Sequence, residues 1–423
     1  MRITIEKIVF TGKSLGRTDE GKVVLTDEGI PGEILEVSPV REKKNYIEAK
    51  TQCIIRASGA RQAPRCGHYR TCAPYQYIDY DTQLEIKKSQ ALEALKEFAG
   101  DTVGKLAVRP SPKIWNYRNR LRLHIIRGPK GAHFAYHKPG KTGSFEGIDG
   151  CHLADEGINR FLSSVKEDLR KPLFRNVTEI TVRISSHSGE LLCVLHGGIK
   201  GPDERLGAYY ENLKDCFPLA GLVFMDKKNE RTTVYGKARI EEILDGKRFA
   251  IGPTSFFQIN TPQIGPLITD MRENIPLTGK EKIIDLYAGV GLFSIILAPG
   301  AASVSSVELS GESVALLRDN ILANNAGNVY PIEGDCEKLA GTVLGAGWDI
   351  AVLDPPRTGL GPGLCGSLMN CGIKHLVYVS CDPATMARDL GVLTGGYAAR
   401  RVFAYDFFPH TTHIETMAIL ERR

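Results

Sequence analysis

The sequence lacks long hydrophobic segments. It has no run of about 18 apolar residues that could span a membrane, and the first residues, MRITIEKIVF, lack the apolar core of a signal peptide. Of the 423 residues, 42% are hydrophobic and 24% are charged, as in an ordinary globular protein. The sequence therefore predicts a cytoplasmic protein of two or three domains, with no membrane attachment and no obligate protein partner.

Acidic residues are missing from one long stretch of the chain. Residues 102–145 contain ten Lys or Arg and no Asp or Glu. Three histidines and the rings of Trp115, Tyr117, Phe134 and Tyr136 are interleaved with these lysines and arginines. Basic groups attract a polyanion whose bases can stack on aromatic rings, although a solvated sheet face can have the same composition. We interpret this basic tract as a nucleic-acid-binding surface.

Disulfide bonds are disfavoured in the cytoplasm, yet the chain has ten cysteines. Some of these thiols are therefore expected to be metal ligands, nucleophiles or core residues. Cys381 is distinctive, because the apolar run VYVS ends directly before it and a turn, Asp-Pro, follows. A small buried residue and a nucleophile on a rigid strand end are both compatible with that position.

The sequence pattern changes twice along the chain. Residues 1–58 contain short apolar runs between Gly and Pro turns, which predicts a small OB-like β-barrel. Residues 59–250 mix strand-like and helical segments, including a helix over residues 81–99 with Asp81 as its N-cap, and predict an α+β domain. In residues 251–423, five apolar runs of strand length alternate with helical segments, which predicts a doubly wound, Rossmann-like α/β sheet.

Polar side chains stand where the strands of this predicted sheet end. They are Asp285, Glu308, Asp335, Asp354 and Cys381. Ligands of such sheets bind beyond the carboxyl ends of the strands, so these side chains are expected to surround one site. A single acid at a strand end can simply be a helix N-cap, but acids at successive ends favour a nucleoside ligand.

A glycine-rich turn, within DLYAGVGLFS, follows the first of these strands. Gly289 and Gly291 permit a close backbone approach, but the third glycine of the dinucleotide fingerprint is missing. Glu308 follows Asp285 by 23 residues, a spacing at which an acid accepts hydrogen bonds from ribose hydroxyls. Asp335 stands where an adenine amino group could be bound. S-adenosylmethionine, which has no pyrophosphate, fits this pattern.

The remaining motifs point to covalent catalysis on a pyrimidine. Arg357, in the turn DPPR, replaces the aromatic residue with which many S-adenosylmethionine enzymes stack a base for amino methylation. Carbon 5 of uracil is a poor nucleophile until a thiolate adds to carbon 6, and Cys381 is the candidate thiolate. Glu415, in FFPHTTHIETMAIL, is the candidate base that later removes the carbon 5 proton. His410 and His413 could instead bind a metal, but no further ligands accompany them.

Together these segments resemble the class I RNA uracil-5-methyltransferases, which form 5-methyluridine in tRNA and 23S rRNA. The resemblance covers nearly the full length and rests on FQIN at 257–260, DLYAGVGLFS, DPPRTG, SCDP and FFPHTTHIE. It implies a TRAM domain in residues 1–58, a central RNA-binding domain in 59–250 and a methyltransferase domain in 251–423. The RNA substrate is then rRNA or tRNA, with the target base flipped out of a loop.

The resemblance also assigns residues. It implies that Cys381 is the nucleophile and Glu415 the base. Positions that contact S-adenosylmethionine or the active site are matched by Gln258, Tyr287, Glu308 and Asp354, to which we add Asp335 and the glycines Gly289 and Gly291.

Many members of this family hold a [4Fe-4S] cluster through C-x5-C-x2-C and a distant fourth cysteine. Cys66, Cys72 and Cys151 match three of these positions, but Tyr75 occupies the remaining one. A phenol is a poor substitute for a thiolate at such a cluster. Three possibilities stay open: no cluster, a cluster with three cysteine ligands, or a cluster that Cys53 completes.

The sequence therefore predicts an enzyme that methylates carbon 5 of a specific uridine in rRNA or tRNA through a covalent cysteine adduct. One alternative is an RNA cytosine-5-methyltransferase, which uses similar thiol chemistry but needs a carboxylate beside the amino edge of cytosine. The other is a non-catalytic RNA-binding or RNA-folding protein, for which Cys381 would be dispensable.

Overall fold

The computed structural model describes residues 1–98, 106–129, 131–140, 142–198, 204–226, 228 and 230–423. Outside the described residues lie residue 99 of the predicted helix and three lysines of the basic tract, Lys105, Lys130 and Lys141. Within those ranges, no helix has both the length and the apolar character that a bilayer crossing requires.

The N-terminal residues form a closed five-stranded β-barrel, as the sequence predicts. Apolar residues alternate with polar ones along the first strand, so Ile3 and Ile5 point into the small barrel core. The barrel order is β1-β2-β3-β5-β4, and β4 pairs back with β1. Its strands are β1 (Arg2–Ile8), β2 (Ser14–Arg17), β3 (Val23–Thr26), β4 (Ile34–Glu42) and β5 (Tyr46–Arg56).

Two helices follow the barrel, α1 (Tyr69–Cys72) and α2 (Tyr80–Leu95). The N-cap of α2 is Asp79 and not Asp81, because the extended backbone of Asp79 lets its carboxylate accept a hydrogen bond from the Thr82 amide at 2.8 Å. The predicted helix therefore exists, but it starts earlier than predicted.

The middle of the chain is built on a seven-stranded sheet with the order β13-β12-β11-β10-β7-β8-β9. A separate hairpin, β14-β15, leads to the C-terminal region. The strands of this sheet and hairpin are β7 (Arg120–Gly128), β8 (Gly131–His137), β9 (Phe145–Ile148), β10 (Val177–Ile184), β11 (Leu191–Gly197), β12 (Leu219–Met225), β13 (Arg231–Gly236), β14 (Ile240–Leu244) and β15 (Lys247–Ile251). The short strand β6 (Val108–Arg109) precedes them in the chain but belongs to the C-terminal sheet. The helices are α3 (Glu156–Val165) and α4 (Glu204–Cys216), with short 3-10 turns at Glu167–Arg170 and Pro172–Phe174.

The aromatic rings of the basic tract do not form the exposed stacking surface that the sequence suggests. Tyr117 and Phe134 are buried in the central core. Trp115 is stacked on His410, with ring centroids 3.7 Å apart, and the guanidinium of Arg65 lies 4.1 Å from its ring centroid. These ring faces are occupied by the protein itself, so this part of the interpretation is corrected.

Tyr136, the fourth ring of the tract, is likewise turned inward, and its hydroxyl donates a hydrogen bond to the Cys151 sulfur at 3.2 Å.

The C-terminal region forms an eight-stranded sheet with the order β18-β17-β16-β19-β20-β22-β21-β6. The first five strands of this order are parallel, as predicted, and β22 is inserted antiparallel beside β20. The strands are β16 (Lys282–Leu286), β17 (Ser303–Glu308), β18 (Val329–Glu333), β19 (Ile350–Leu353), β20 (His375–Ser380), β21 (Tyr397–Tyr405) and β22 (Glu415–Arg422). The helices are α5 (Thr261–Asn274), α6 (Leu292–Leu297), α7 (Gly311–Ala323), α8 (Cys336–Val343), α9 (Pro362–Asn370) and α10 (Pro383–Leu393), with 3-10 turns at Ala298–Gly300 and Leu344–Ala346.

Segments from before residue 110 help to build this C-terminal sheet. The short strand β6 pairs parallel with β21 and forms the last strand of the sheet. Ala91 and Leu95 of α2 share one apolar core with Leu390 and Leu393 of α10. The three sequence regions are therefore interlocked in space and are not a simple row of separate units.

A buried ion pair fixes α2 to the segment between β21 and β22. The Lys87 ammonium lies 2.6 Å from an Asp406 carboxylate oxygen, and both side chains are 0% exposed. The same ammonium donates a hydrogen bond to the Phe408 carbonyl oxygen at 3.0 Å. This segment leads directly into β22, whose first residue is Glu415. The ion pair therefore anchors the chain just before Glu415, a residue of the site described below.

We expect Lys87→Met to destabilise the protein strongly, because it leaves the Asp406 carboxylate buried without a counter-ion. Breaking such a pair costs about 3–5 kcal/mol. Lys88→Met is the matched control, since Lys88 is partly exposed and lies 3.5 Å from Glu85; it should change stability by less than about 0.5 kcal/mol. Urea unfolding of both variants checks this expectation, and equal midpoints would contradict it.

Candidate active site

Cys381 and Glu415 are brought together by two neighbouring strands. In the antiparallel pair β20-β22, Ser380 stands opposite Thr416. Cys381 directly follows β20 and Glu415 is the first residue of β22, so they occupy the next position of the same register. Burial, and after it the charge of Glu415, raise the pKa of the Cys381 thiol to about 11. The two residues therefore share one electrostatic environment.

The turn after β19 adds two charged groups to this environment. The negative charge of Asp354 raises the pKa of the Cys381 thiol, whereas the guanidinium of Arg357 lowers it. Arg357 also lies beside His413, with Nη2 and Nε2 3.3 Å apart. In the sequence Arg357 stands out only as a departure from an aromatic residue, but in the structure it supplies the positive charge that a thiolate needs. The DPPR turn was the signal that could have marked it as a site residue.

The carboxyl group of Glu415 is deeply buried. Its side chain is 3% exposed, and burial, followed by the charge of Asp354, raises its pKa well above the ordinary value, while Arg357 opposes the shift. A carboxyl group with a raised pKa takes up a proton more readily, and its ionised form is a stronger base.

Asp285 and Glu308 lie at the ends of the adjacent strands β16 and β17, where they hold the glycine-rich turn. The Asp285 carboxylate accepts a hydrogen bond from the Ser294 amide at 3.1 Å, and burial raises its pKa to about 7. The Glu308 carboxylate accepts hydrogen bonds from the amides of Gly289 at 2.9 Å and Ser310 at 2.7 Å. These acids define the shape of the turn before any ligand binds.

The turn itself uses left-handed backbone conformations. Tyr287, Gly289 and Gly291 have φ values of +66°, +57° and +90°. A side chain at Gly291 would clash with Leu317, so this glycine is required by packing. A Cβ atom at Gly289 would meet nothing within 4 Å, so the space above this glycine is open to a ligand.

Of the remaining predicted cofactor residues, Tyr287 and Asp335 both contact Glu337, whereas Gln258 lies in another segment. Asp335 is the N-cap of α8 and accepts a hydrogen bond from the Glu337 amide at 3.0 Å. The Tyr287 hydroxyl donates to the Glu337 carboxylate at 3.1 Å, and both residues line a cavity of about 570 Å³. Gln258 is buried in the segment before α5, where its carbonyl oxygen accepts a hydrogen bond from Asn119 at 2.9 Å. Glu337 had no signal in the sequence, because it lies inside a helix and not at a strand end.

His410 and His413 do not form a metal site. The amide of Gln83 lies 3.0 Å from Nδ1 of His410, whose ring is stacked on Trp115, and His413 contacts Arg357. Burial lowers the pKa of His410 to about 3 and that of His413 to about 4. In the described part of the chain, neither histidine joins a group of three potential metal ligands. Both side chains instead order the segment that leads into β22.

The cysteines expected at a metal site are only partly brought together. The sulfurs of Cys66 and Cys72 and one ring nitrogen of His68 lie within 4.8 Å of one another. Cys151 is buried next to Tyr136. Cys53 does not complete this group, because it is exposed on β5 and its thiol donates to Glu36 at 3.3 Å. His68 is not among the predicted ligands, and its only mark in the sequence is its position two residues after Cys66.

The chain is similar to several known proteins. The sequence model of the tRNA (uracil-5-)-methyltransferase family matches residues 79–423. An uncharacterized RNA methyltransferase from Halalkalibacterium halodurans is 30% identical over 100% of this chain and 96% of its own length. Another from Thermotoga maritima is 30% identical over 99% and 98%.

A solved structure is also similar over nearly the whole chain. It is the tRNA (uracil-54, C5)-methyltransferase of Pyrococcus abyssi in complex with S-adenosyl-L-homocysteine, with a TM-score of 0.77 and 26% identity. The similarity covers 99% of this chain and 100% of that protein.

We expect Gly289→Ala to weaken binding of S-adenosylhomocysteine by about tenfold or more, because the added methyl group would project into the open space. Its melting temperature should fall modestly, because alanine is strained at a φ of +57°. Gly291→Ala is the contrasting variant, whose clash with Leu317 adds to the backbone strain and should lower the melting temperature further. Calorimetric titration and thermal unfolding measure the two effects. Unchanged affinity in Gly289→Ala would contradict the expectation.

We also expect alkylation of Cys381 by iodoacetamide to accelerate with pH up to about 11, because its thiol is protonated at neutral pH. At the alkaline pH where the thiol titrates, Glu415→Gln removes a negative charge and should lower the pKa. Arg357→Met removes a positive charge and should raise it. Mass spectrometry quantifies the labelling, with exposed Cys216 as the internal control. Identical titration curves in all three proteins would count against this electrostatic assignment.

Proposed function

We propose, because the chain belongs to the tRNA (uracil-5-)-methyltransferase family, that it methylates carbon 5 of a uridine in RNA through a covalent bond to Cys381. As a member of this family the chain is an enzyme, so a non-catalytic RNA-binding role is not its sole function. The observation that carries the covalent mechanism is the shared environment of Cys381, Glu415, Arg357 and Asp354.

The first step that we propose is the attack of Cys381 on carbon 6 of the uracil ring. The thiol loses its proton to solvent, a sulfur–carbon bond forms, and the electron pair of the carbon 5–carbon 6 bond moves into the enolate at carbon 4. Arg357 favours the thiolate, because its guanidinium lowers the pKa of the thiol against burial and the nearby carboxyl groups.

The methyl group comes from S-adenosylmethionine, which supplies it on a positively charged sulfonium. We assign the binding of its nucleoside end to Tyr287, Glu308 and Asp335, which lie at or near strand ends. We also propose that this end lies against the backbone of Gly289. The open space at Gly289 and the acids around it support this assignment. Gln258 and Asp354 are assigned to the end near Cys381.

Glu415 is the base that we assign to the last step. After methylation, carbon 5 still carries its proton, and the sulfur cannot leave until that proton is removed. The raised pKa of the buried Glu415 makes its carboxylate a stronger base than an exposed one. Proton removal restores the carbon 5–carbon 6 double bond, and the Cys381 thiolate is released.

We propose that the three sequence regions have the roles that the resemblance implies. Residues 1–58, which form the closed barrel, are proposed as a TRAM domain, residues 59–250 as the central RNA-binding domain, and residues 251–423 as the methyltransferase domain. The closed barrel and the parallel sheet support the first and last assignments.

The substrate that we propose first is tRNA, because the family description and the Pyrococcus abyssi enzyme both name it; rRNA is the second candidate. Mapping 5-methyluridine in cellular RNA with and without the protein identifies the RNA and the uridine. Cytosine as the target base is tested with RNAs that contain a single pyrimidine type. Methyl transfer to RNA that has only cytosine would replace the uridine assignment.

We expect Cys381→Ala to abolish both methyl transfer and any covalent RNA adduct, because no thiolate remains. Glu415→Gln should accumulate a covalent adduct that carries the new methyl group, because the carbon 5 proton stays in place. Denaturing electrophoresis with labelled RNA and methyl-labelled S-adenosylmethionine distinguishes the two outcomes.

The double variant Cys381→Ala/Glu415→Gln is the matched control and should give neither product nor adduct. Free RNA with normal methylation from Glu415→Gln would refute the role of this carboxylate. Methylation by Cys381→Ala would refute covalent catalysis.

A further inference from the structure

The residues present do not provide the four thiolates of a [4Fe-4S] cluster. Tyr75 replaces one expected cysteine, and its side chain is 0% exposed in an apolar cluster with Ile8 and Ile78. The Tyr75 hydroxyl accepts a hydrogen bond from the Gln90 amide at 3.0 Å, so it is engaged away from the thiols. Cys53 is exposed on the barrel and is bound to Glu36. Neither residue can supply the missing ligand without leaving its partners.

His68 takes a place beside the two nearby thiols instead. One of its ring nitrogens lies within 4.8 Å of the sulfurs of both Cys66 and Cys72. The short helix α1 starts directly after His68 and returns the Cys72 sulfur to 3.7 Å from the His68 carbonyl oxygen. Nε2 of His68 is buried and finds no hydrogen-bond partner among the described residues. Since buried polar atoms are nearly always partnered, this nitrogen is suited to bind an ion.

The spacing of the three ligand atoms suits a single ion. Tetrahedral zinc binds sulfur at about 2.3 Å and nitrogen at about 2.0 Å, which places its ligand atoms within about 4 Å of one another. A cubane cluster binds each ligand to a different iron and therefore needs a wider frame. The group formed by Cys66, His68 and Cys72 is already close to the narrower spacing.

Cys151 borders this group and is suited to be the fourth ligand. It is 2% exposed, and its sulfur accepts a hydrogen bond from Tyr136, whose ring centroid lies 6.0 Å from that of His68. Because Tyr136 lies beside both His68 and Cys151, the Cys151 sulfur is near the group, although it is not among the ligand atoms that already lie within 4.8 Å of one another. Three thiolates and one Zn²⁺ leave a net charge of −1.

We propose that Cys66, His68, Cys72 and Cys151 bind one zinc ion in place of an iron-sulfur cluster. Three sulfurs and one imidazole are a ligand set of structural zinc sites. The ion would order the loop that carries Arg65, which covers Trp115, and Trp115 in turn is stacked on His410. The inference does not depend on the reaction proposed above, because metal content is measured without RNA or S-adenosylmethionine.

The test is the metal content of the full chain, purified without oxygen from cells supplied with both iron and zinc. We expect about one zinc per chain, no acid-labile sulfide, and no broad visible absorbance of an iron-sulfur cluster. Replacement by Co²⁺ should give the visible bands of tetrahedral cobalt and a thiolate charge-transfer band. Iron and sulfide in equal amounts, or a chain that binds neither metal after zinc titration, overturns the proposal.

Variants separate the individual ligands. His68→Ala should lose the zinc, whereas His68→Cys should keep it and strengthen the charge-transfer band of the cobalt form. Cys151→Ser should weaken that band by about one third, because two of three thiolates remain. The matched controls Cys53→Ser and Tyr75→Phe should leave zinc content unchanged. Full zinc content in His68→Ala, or loss of zinc in Cys53→Ser, contradicts the assigned ligand set.

Discussion

The antiparallel pairing of β22 with β20 is the constraint on which the site depends. It places the first residue of one strand beside the residue that follows the other, and so sets Glu415 next to Cys381. A slip of one residue would turn every side chain of β22 to the opposite face of the sheet. The register is held from outside by the buried ion pair of Lys87 and Asp406 and by the packing of His410 against Trp115.

The site contains several buried carboxyl groups, and ionising all of them without a compensating positive charge is unfavourable. The pKa values of Asp285 and Asp354 are both raised to about 7, mainly by burial, and that of Glu415 is also raised. Arg357 lowers the pKa of both Glu415 and Cys381, so it partly offsets the negative charge. A site of this kind binds a positively charged ligand well, because such a ligand lets the carboxyl groups ionise.

Five of the eight strands of the C-terminal sheet could be predicted because they are apolar runs of strand length, and the acids at their ends follow from the topology of parallel sheets. The other three, β6, β21 and β22, join the sheet out of sequence order and were not predicted as its members. Features that depend on distant contacts could not be predicted. The rings of Tyr117 and Phe134 look exposed in a basic tract but fill the central core. His68 carries no motif of its own, and only the fold reveals that it meets Cys66.

The strand β6 and the helix α2 have a consequence for how the chain can be divided. Both come early in the sequence, yet β6 closes the free edge of β21 and α2 covers α10. A fragment that begins at residue 251 would carry an open strand edge and a bare apolar helix face, which favour aggregation. During synthesis, β6 and α2 can complete these contacts only after the last strands have emerged, so residues 251–423 alone do not contain the whole of their own core.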